Sequence, residues 1–318
     1  MQIEIVTTPN DTLKETGFGP PQACESVMQS LLDSGHNAVV TVCKNEPDLA
    51  AVVKRKPDLV VAAVKYIPLD DGEQLWLSEY FENHGIHYTG SSKNVLSYDS
   101  SKVAAKKQVA SRGIDTADFF ITSPDWHKSE QDIPLPFPLF IKPTSAANGN
   151  GIDTDSLVYD FSHFQKKVAS LYNEYAQSVL VEEYLDGKEF TVAVIEDNGS
   201  LIVAPVEIIP PEEGGVRILG AKVKNDNTEV LKKINEPSIL PKVIDIAERS
   251  FRALGVKDFG RIDIKMDHYG QCHFLEANLV PGMKKDSSYF PRSCEMHAGL
   301  DYDEVVRLII TGAVEPTI

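Results

Sequence analysis

Phe259-Gly260-Arg261-Ile262-Asp263-Ile264-Lys265-Met266-Asp267-His268-Tyr269-Gly270-Gln271-Cys272-His273-Phe274-Leu275-Glu276-Ala277-Asn278-Leu279-Val280-Pro281 is the stretch that decides how the chain is read. Two runs with strand-like alternation, 260–267 and 271–278, flank the turn residues His268-Tyr269-Gly270 and predict an antiparallel hairpin. A hairpin symmetric about that turn sets Asp263 opposite Glu276 and Arg261 opposite Asn278. Alternation then puts these four side chains on one face and Ile262, Ile264, Leu275 and Ala277 on the other. The apolar face packs on a core, which leaves the polar face to be explained.

Two carboxylates directly opposite on neighbouring strands repel, with Cβ atoms about 4.5–5.5 Å apart. A divalent cation turns that repulsion into coordination. Asp263, Glu276 and Asn278 offer two carboxylates and an amide oxygen, hard donors of the kind magnesium takes when phosphates complete its shell. The alternative is a solvated face on which Arg261 bridges the acids. The Asn278-x-x-Pro281-Gly282 sequence that follows favours the metal site.

Upstream, the first ninety residues alternate short apolar runs (Ile3–Val6, Ala38–Val42, Asp58–Val64) with helical periodicity at Val27, Met28, Leu31 and Leu32, stopped by Gly35. A second helix is predicted through Leu75, Trp76, Tyr80 and Phe81, then a short strand at Ile86–Tyr88. This pattern predicts a doubly wound parallel sheet, and no GxGxxG follows the first strand, so it is not a dinucleotide domain. A helix is expected over Ser100–Arg112 and a strand over Leu139–Lys142, followed by the small-residue loop Thr144–Gly151. After a helix around Phe161–Tyr175 come strands at Val179–Glu183 and Glu189–Ile195. Asn198-Gly199 then turns the chain into Leu201–Ile209, a hairpin signal. The fold class is therefore α/β and α+β: an N-terminal domain over 1–97, a central subdomain over 98–181 and a C-terminal subdomain over 182–318 that carries the metal site.

A net charge of −16 argues against nucleic-acid binding, which favours a basic patch. Cys24, Cys43, Cys272 and Cys294 are far apart with no CxxC pair, and are read as reduced thiols. No apolar run approaches the roughly 20 residues that span a bilayer, and no basic region with a long apolar segment opens the chain. The expected location is cytoplasmic.

The hairpin motifs Gly260-Arg261-Ile262-Asp263, Leu275-Glu276-Ala277-Asn278 and Pro281-Gly282-Met283 resemble those that close the ATP-grasp ligases, specifically the D-alanine–D-alanine ligase group. Ile141-Lys142-Pro143 before its loop, Val181-Glu182-Glu183-Tyr184-Leu185, Gly187, Glu189-Phe190-Thr191-Val192, Tyr88-Thr89-Gly90-Ser91 and Lys102 match as well, over roughly residues 88 to 290. The resemblance implies an ATP-grasp fold, with two antiparallel subdomains clamping ATP. It implies Lys102 and Lys142 on the phosphates, the 144–151 loop closing over them, and Lys222 as a mobile-loop lysine at the terminal phosphate. Glu182, Glu183 and Leu185 would read adenine, Leu275 would pack on it, and Glu189 would hold the ribose. Asp263, Glu276 and Asn278 would bind Mg2+, as two ions or with Mn2+ in its place. Arg261 and the Gly282 N–H would stabilise an oxyanion, and Ser287 would anchor the second substrate's carboxylate. The partners implied are a small-molecule carboxylate and an amine, with no nucleic acid and no membrane; a homodimer is left open.

The group's Gly-Gly-x-Ser-x-Glu after the first strand is here Thr7-Thr8-Pro9-Asn10, then Glu15-Thr16-Gly17-Phe18-Gly19-Pro20-Pro21, with Glu15 or Glu25 the available acids. Its His-Gly-x-x-Gly-Glu-Asp-Gly is replaced by Lys65-Tyr66-Ile67-Pro68-Leu69-Asp70-Asp71-Gly72. The tyrosine after the Ala-Lys pair is Val223, and the Thr-Ser before Pro-Gly is Leu279-Val280. Nucleotide and metal residues are kept while first-substrate residues change. The expectation is an ADP-forming carboxylate–amine ligase working through an acyl phosphate, on substrates other than D-alanine. The alternatives are an authentic D-alanine–D-alanine ligase and a nucleotide-binding regulatory protein without turnover.

Overall fold

The computed structural model describes residues 1–9, 17–69 and 72–314; Asn10, Glu15, Thr16, Asp70 and Asp71, named above, lie outside them. Strands β1 (Gln2–Thr7), β2 (Asn37–Val42) and β3 (Leu59–Ala62) are linked by helices α1 (Pro21–Asp33) and α2 (Glu46–Arg55). They form a parallel sheet in the order β2-β1-β3. Every residue of β3 is buried, as expected for a strand covered on both faces. α2 shows why a helix forms here. The Asn45 side chain caps the Asp48 N–H, Glu46 and Asp48 sit in the first turn, and Lys54 and Arg55 in the last, all complementing the helix dipole. In α1 the buried stripe is Ala23, Cys24, Val27, Ser30 and Leu31, and Leu32 turns outward.

β4 (Tyr66–Pro68) and β5 (Gln74–Trp76) form a small hairpin before α3 (Leu77–Asn83). Leu75 and Trp76 are thus strand and not helix. Trp76 pairs with Tyr66, their rings 5.1 Å apart, and this cross-strand aromatic contact overrides the helical spacing. The strand expected at Ile86–Tyr88 reduces to one bridge, Tyr88 to Val60. The helix expected over 100–112 is α5 (Lys102–Ser111), and a further helix, α4 (Lys93–Ser100), precedes it. They break at Ser101 (φ −133°, ψ 95°), whose hydroxyl accepts the Ala104 N–H. Next to the break, Asp99 accepts from Lys65 Nζ at 2.8 Å and from the Leu279 N–H, which ties the end of the hairpin to the N-terminal unit.

The central sheet contains β6 (Phe119–Thr122), β7 (Leu139–Pro143), β8 (Leu157–Val158) and, after α6 (Phe161–Tyr175), β9 (Val179–Glu183). It is antiparallel in the order β6-β9-β7-β8, with Phe164, Val168 and Leu171 of α6 in its core. β9 continues to Glu183, past the boundary placed at 181. The C-terminal part holds β10 (Glu189–Asp197), β11 (Ser200–Ile209), β12 (Glu212–Glu213), β13 (Val216–Arg217), α7 (Ala221–Asp226), β14 (Val230–Lys233), α8 (Leu240–Leu254), β15 (Phe259–Met266), β16 (Cys272–Asn278), α9 (Tyr289–Ser293) and α10 (Tyr302–Val314). Its main sheet is antiparallel, β14-β11-β10-β15-β16. Asn198 and Gly199, both at positive φ, make the predicted tight turn between β10 and β11.

The β15–β16 register departs from symmetry. Arg261 faces Asn278 and Asp263 faces Glu276, as expected, but Ile264 faces Phe274, Lys265 faces His273 and Met266 faces Cys272. Leu275 is the extra residue of a β-bulge. It therefore leaves the apolar face assigned to it and joins Asp263, Lys265 and Glu276 on the wall of a cleft. Ile262, Ile264, Phe274 and Ala277 remain in the core. All four cysteines are free and buried.

The N-terminal and C-terminal sheets share one core, in which Ile3, Ile5 and Phe18 meet Phe259 and Phe290. Asp258 helps to join them: it is buried, sits at φ 64°, and accepts the Gly90 N–H at 2.7 Å. Burial pushes its carboxyl up from 3.8 to about 6, against the opposing pull of Lys257 and the Gly90 N–H. A folded-state pKa above the unfolded one stabilises the fold below pH 4 and loses that contribution as pH rises through 6. D258N, compatible with the positive φ, removes the titration. Relative to D258N, the wild-type protein should lose roughly 3 kcal/mol of stability between pH 4 and pH 7, as read by urea unfolding at each pH.

Candidate active site

Two clefts meet at the polar face of the β15–β16 hairpin. The first, about 790 Å³, is lined by Asp263, Lys265, Leu275 and Glu276 from the hairpin and by Phe140, Lys142, Glu182 and Glu183 from the central sheet. Tyr184, Leu185, Ala146, Gly149, Ile152 and the segment Arg217–Leu219 complete its walls with Lys102, Ala117, Glu189 and Lys224. It combines apolar walls with a few charged groups, as small-molecule sites do. The second cleft, about 1090 Å³, takes Arg261 and Asn278 from the same face. It adds Phe18, Gly282, Lys284, Ser287, Ser288 and Tyr289, with Lys224 common to both.

Each carboxylate of the hairpin has its own cation. Arg261 grips Asp263 with two hydrogen bonds of 3.0 Å, and Thr191 of β10 donates to the same carboxylate at 2.7 Å. Asn278 Nδ2 adds a third donor at 3.0 Å. Glu276 pairs with Lys102 Nζ at 3.1 Å, and the same ammonium donates to the Ala146 carbonyl at 2.9 Å, pinning the 144–151 loop. Burial alone pushes Glu276 up, but the ammoniums of Lys102, Lys224 and Lys142 together hold it well below the usual carboxylate range.

A second buried anion lies deeper. Glu182 receives Lys106 Nζ at 2.6 Å on one oxygen and Lys142 Nζ at 2.7 Å on the other. Burial raises the Glu182 carboxyl, and the two ammoniums more than reverse this. Lys142 is disfavoured by burial, yet Glu182 and Glu276 keep it charged; for Lys106 burial prevails and the pKa falls. Lys106 is fully buried and also donates to Thr116 Oγ1.

The structure brings Lys102, Lys142, Glu182, Glu183, Leu185, Glu189, Leu275, Asp263 and Glu276 to the first cleft and Arg261, Asn278, Gly282 and Ser287 to the second. Glu189 there is paired with Lys265 at 3.0 Å. Lys222 is exposed and lines neither cleft, whereas Lys224 lines both. Two residues along a helix rotate a side chain by about 200°, so on α7 the two lysines face opposite ways. The loop glycines serve close approach: a Cβ on Gly220 would sit 2.3 Å from the Ile152 carbonyl oxygen.

Sequence reasoning missed Lys106, Thr191, Lys224, Glu229 and Tyr289. For Lys106 a signal existed: Lys102, Ala105, Lys106 and Val109 share one buried helical face, and a lysine in such a stripe needs a buried partner. Thr191 becomes visible only through its register opposite Asp263.

The donor set fits a magnesium ion. Asp263 and Glu276 offer hard carboxylate oxygens to a cleft that also holds phosphate-suited lysines, and Asn278 stands beside them on the same hairpin face, at the second cleft. Among the described residues no group of three or more His, Cys, Asp or Glu is placed to hold a metal. Among the described residues no helix is long and apolar enough to cross a membrane.

A deep cleft between the central and C-terminal antiparallel sheets, with paired carboxylates on one wall and lysines on the other, defines an ATP-grasp enzyme, an ATP-dependent carbon–nitrogen ligase. The family model described as D-ala D-ala ligase C-terminus matches residues 108–311, and the chain belongs to that family. It is 24% identical to D-alanine–D-alanine ligase from Gloeobacter violaceus, over 99% of this chain and 100% of the relative. It is 28% identical to the uncharacterized protein y4sG of Sinorhizobium fredii, over 92% of this chain and 89% of the relative. The fold matches D-alanine–D-alanine ligase from Bacillus anthracis complexed with ATP, with a TM-score of 0.76 and 22% identity, covering 99% of this chain and 97% of that one.

Replacing Lys106 with methionine leaves Glu182 with a single cation in a dry environment. K106M should lose about 3 kcal/mol of stability in urea unfolding, the lower range for removing one partner of a buried ion pair.

Proposed function

We propose that the chain is an ADP-forming ligase that joins a carboxylate to an amine through an acyl phosphate, on a substrate pair other than two D-alanines. One observation carries this reading: a single hairpin face sends Asp263 and Glu276 into the first cleft and Arg261 and Asn278 into the second. Phosphoryl transfer and bond formation then take place on two sides of one rigid strand pair.

Lys102 and Lys142 bind the phosphates of ATP as point charges. Backbone groups of Glu182, Glu183 and Leu185 address adenine, Leu275 packs on it, and Glu189 takes the ribose. Asp263, Glu276 and Asn278 would hold magnesium, which when bound neutralises phosphate charge. The substrate carboxylate oxygen attacks the γ-phosphorus and ADP leaves. The amine nitrogen then attacks the acyl carbon, loses a proton, and phosphate departs with the C–O bond electrons. Arg261 and the Gly282 N–H stabilise the tetrahedral oxyanion, a single donor of this type being worth about 3–4 kcal/mol. Ser287 receives the second substrate's carboxylate. Lys224, common to both clefts, takes the part that sequence reasoning gave to Lys222.

A second metal ion, replacement by manganese, a homodimer and a cytoplasmic location extend this reading. Metal titration and light scattering test the first three. The change of substrate is supported by the altered segments 7–21 and 279–287, part of which line the second cleft. Full-length coverage of a D-alanine–D-alanine ligase favours the alternative, that D-alanine is used.

Phosphate release should be measured over a panel of carboxylate–amine pairs with ATP and magnesium. Turnover is expected with a pair other than D-alanine with itself; efficient D-alanyl-D-alanine formation would overturn the substrate assignment. D263A should reduce kcat at least about a hundredfold, since an interaction of about 3 kcal/mol with transition-state charge is removed.

A further inference from the structure

Lys106 is a buried charge that the chemistry above leaves unused. Its side chain is fully buried and lines neither cleft. Charge balance does not call for it. Glu182 already has the Lys142 ammonium at 2.7 Å, and a second ammonium in the same dry space carries a desolvation cost of its own.

The contacts of Lys106 run in one line. The carbonyl of Phe274, the residue before the bulge at Leu275, accepts the Thr116 hydroxyl at 2.8 Å. Thr116 Oγ1 in turn accepts Lys106 Nζ at 2.6 Å. Lys106 Nζ pairs with one carboxylate oxygen of Glu182 at 2.6 Å, and Lys142 Nζ holds the other at 2.7 Å. The Phe119 ring, 5.6 Å from the Lys106 ammonium, packs beside this line. It starts on the C-terminal hairpin, crosses to β9 of the central sheet and ends on a lysine of the first cleft. The terminal torsion of a glutamate is soft, and a lysine stem is flexible, so Glu182 and Lys142 alone would turn together. Clamped from its far side, the carboxylate becomes a fixed anchor.

We propose that Lys106 is a positioning residue for nucleotide binding: acting through Glu182, it fixes the Lys142 ammonium where the phosphates of ATP are received. The inference rests on the reading of Lys142 as a phosphate-binding lysine, and its test separates the two. Calorimetric titrations compare ATP with adenosine, each with magnesium and the full chain. Misplacing a phosphate ligand weakens ATP alone, whereas a folding defect weakens both. Wild-type protein should prefer ATP by about tenfold or more, as charge-assisted hydrogen bonds to phosphate imply. K106M should weaken ATP about tenfold and leave adenosine within about twofold. T116V keeps every charge and removes only the tether; it should lower the ATP preference about threefold, the worth of an ordinary hydrogen bond. K106M/E182M removes one buried charge of each sign, so urea unfolding should show stability regained over K106M while ATP affinity stays low.

The proposal is overturned if K106M keeps the wild-type preference for ATP, or if it weakens adenosine as much as ATP. It is equally overturned if T116V keeps the full preference, or if K106M/E182M regains ATP affinity together with stability. K142M distinguishes this inference from the reading beneath it. Wild-type affinity for ATP in K142M would remove Lys142 from the phosphates and take the inference with it. A lost preference in K142M beside an intact one in K106M would overturn the inference alone.

Discussion

Asp263 and Glu276 face each other across two strands, and the repulsion between them is what the surrounding structure has to accommodate. Their cations come from different places. Arg261 stands two residues before Asp263 on the same strand, so its guanidinium reaches back along the face. Lys102 arrives from α5, and the helix break at Ser101 begins a new, capped helix at this lysine. The same ammonium holds Ala146, so the loop over the cleft is fixed to the charge it must complement. Thr191 donates from a third strand, which makes the Asp263 carboxylate a junction of β10, β15 and β16.

Glu182 repeats this logic with the balance reversed, one anion held between two lysines. In a chain of net charge −16, Lys102, Lys142 and Lys224 set cations on the wall of the first cleft, where a polyanionic ligand would need them. A buried ion pair is weak evidence for stability, since desolvation offsets much of its attraction. Its value here is orientation, because Glu182 restrains Lys142, whose ammonium would otherwise be free to swing.

The polar hairpin face was legible because a strand's alternation needs no knowledge of distant partners. The bulge was not. It depends on how the turn closes: Asp267 bonds Gln271 through its N–H, and its carboxylate accepts the Tyr269 and Gln271 N–H groups. That closure shifts the register by one between Asp263 and Ile264 and turns Leu275 toward the ligand side. The strand at Leu75 and Trp76 was hidden for a related reason: the cross-strand contact of Trp76 with Tyr66 overrides a local period. Lys222 and Lys224 show a different limit: a motif locates a lysine along the chain, but only the helix phase says which one faces the cleft.

The two clefts differ in what constrains them. The first is walled largely by strands whose other faces are core, so a change at Asp263, Glu276 or Lys142 is felt by the packing of the sheets. The second is bounded mainly by segments outside the sheets, at 17–20, 225–229 and 280–289. Such segments vary at little cost to the core, which is where a ligase of fixed chemistry can acquire a new substrate. Tyr289 links the two regimes. Its ring lies against the Arg261 guanidinium of the hairpin face and its hydroxyl donates to Glu229, so a segment outside the sheets is packed onto the strand residue that grips Asp263.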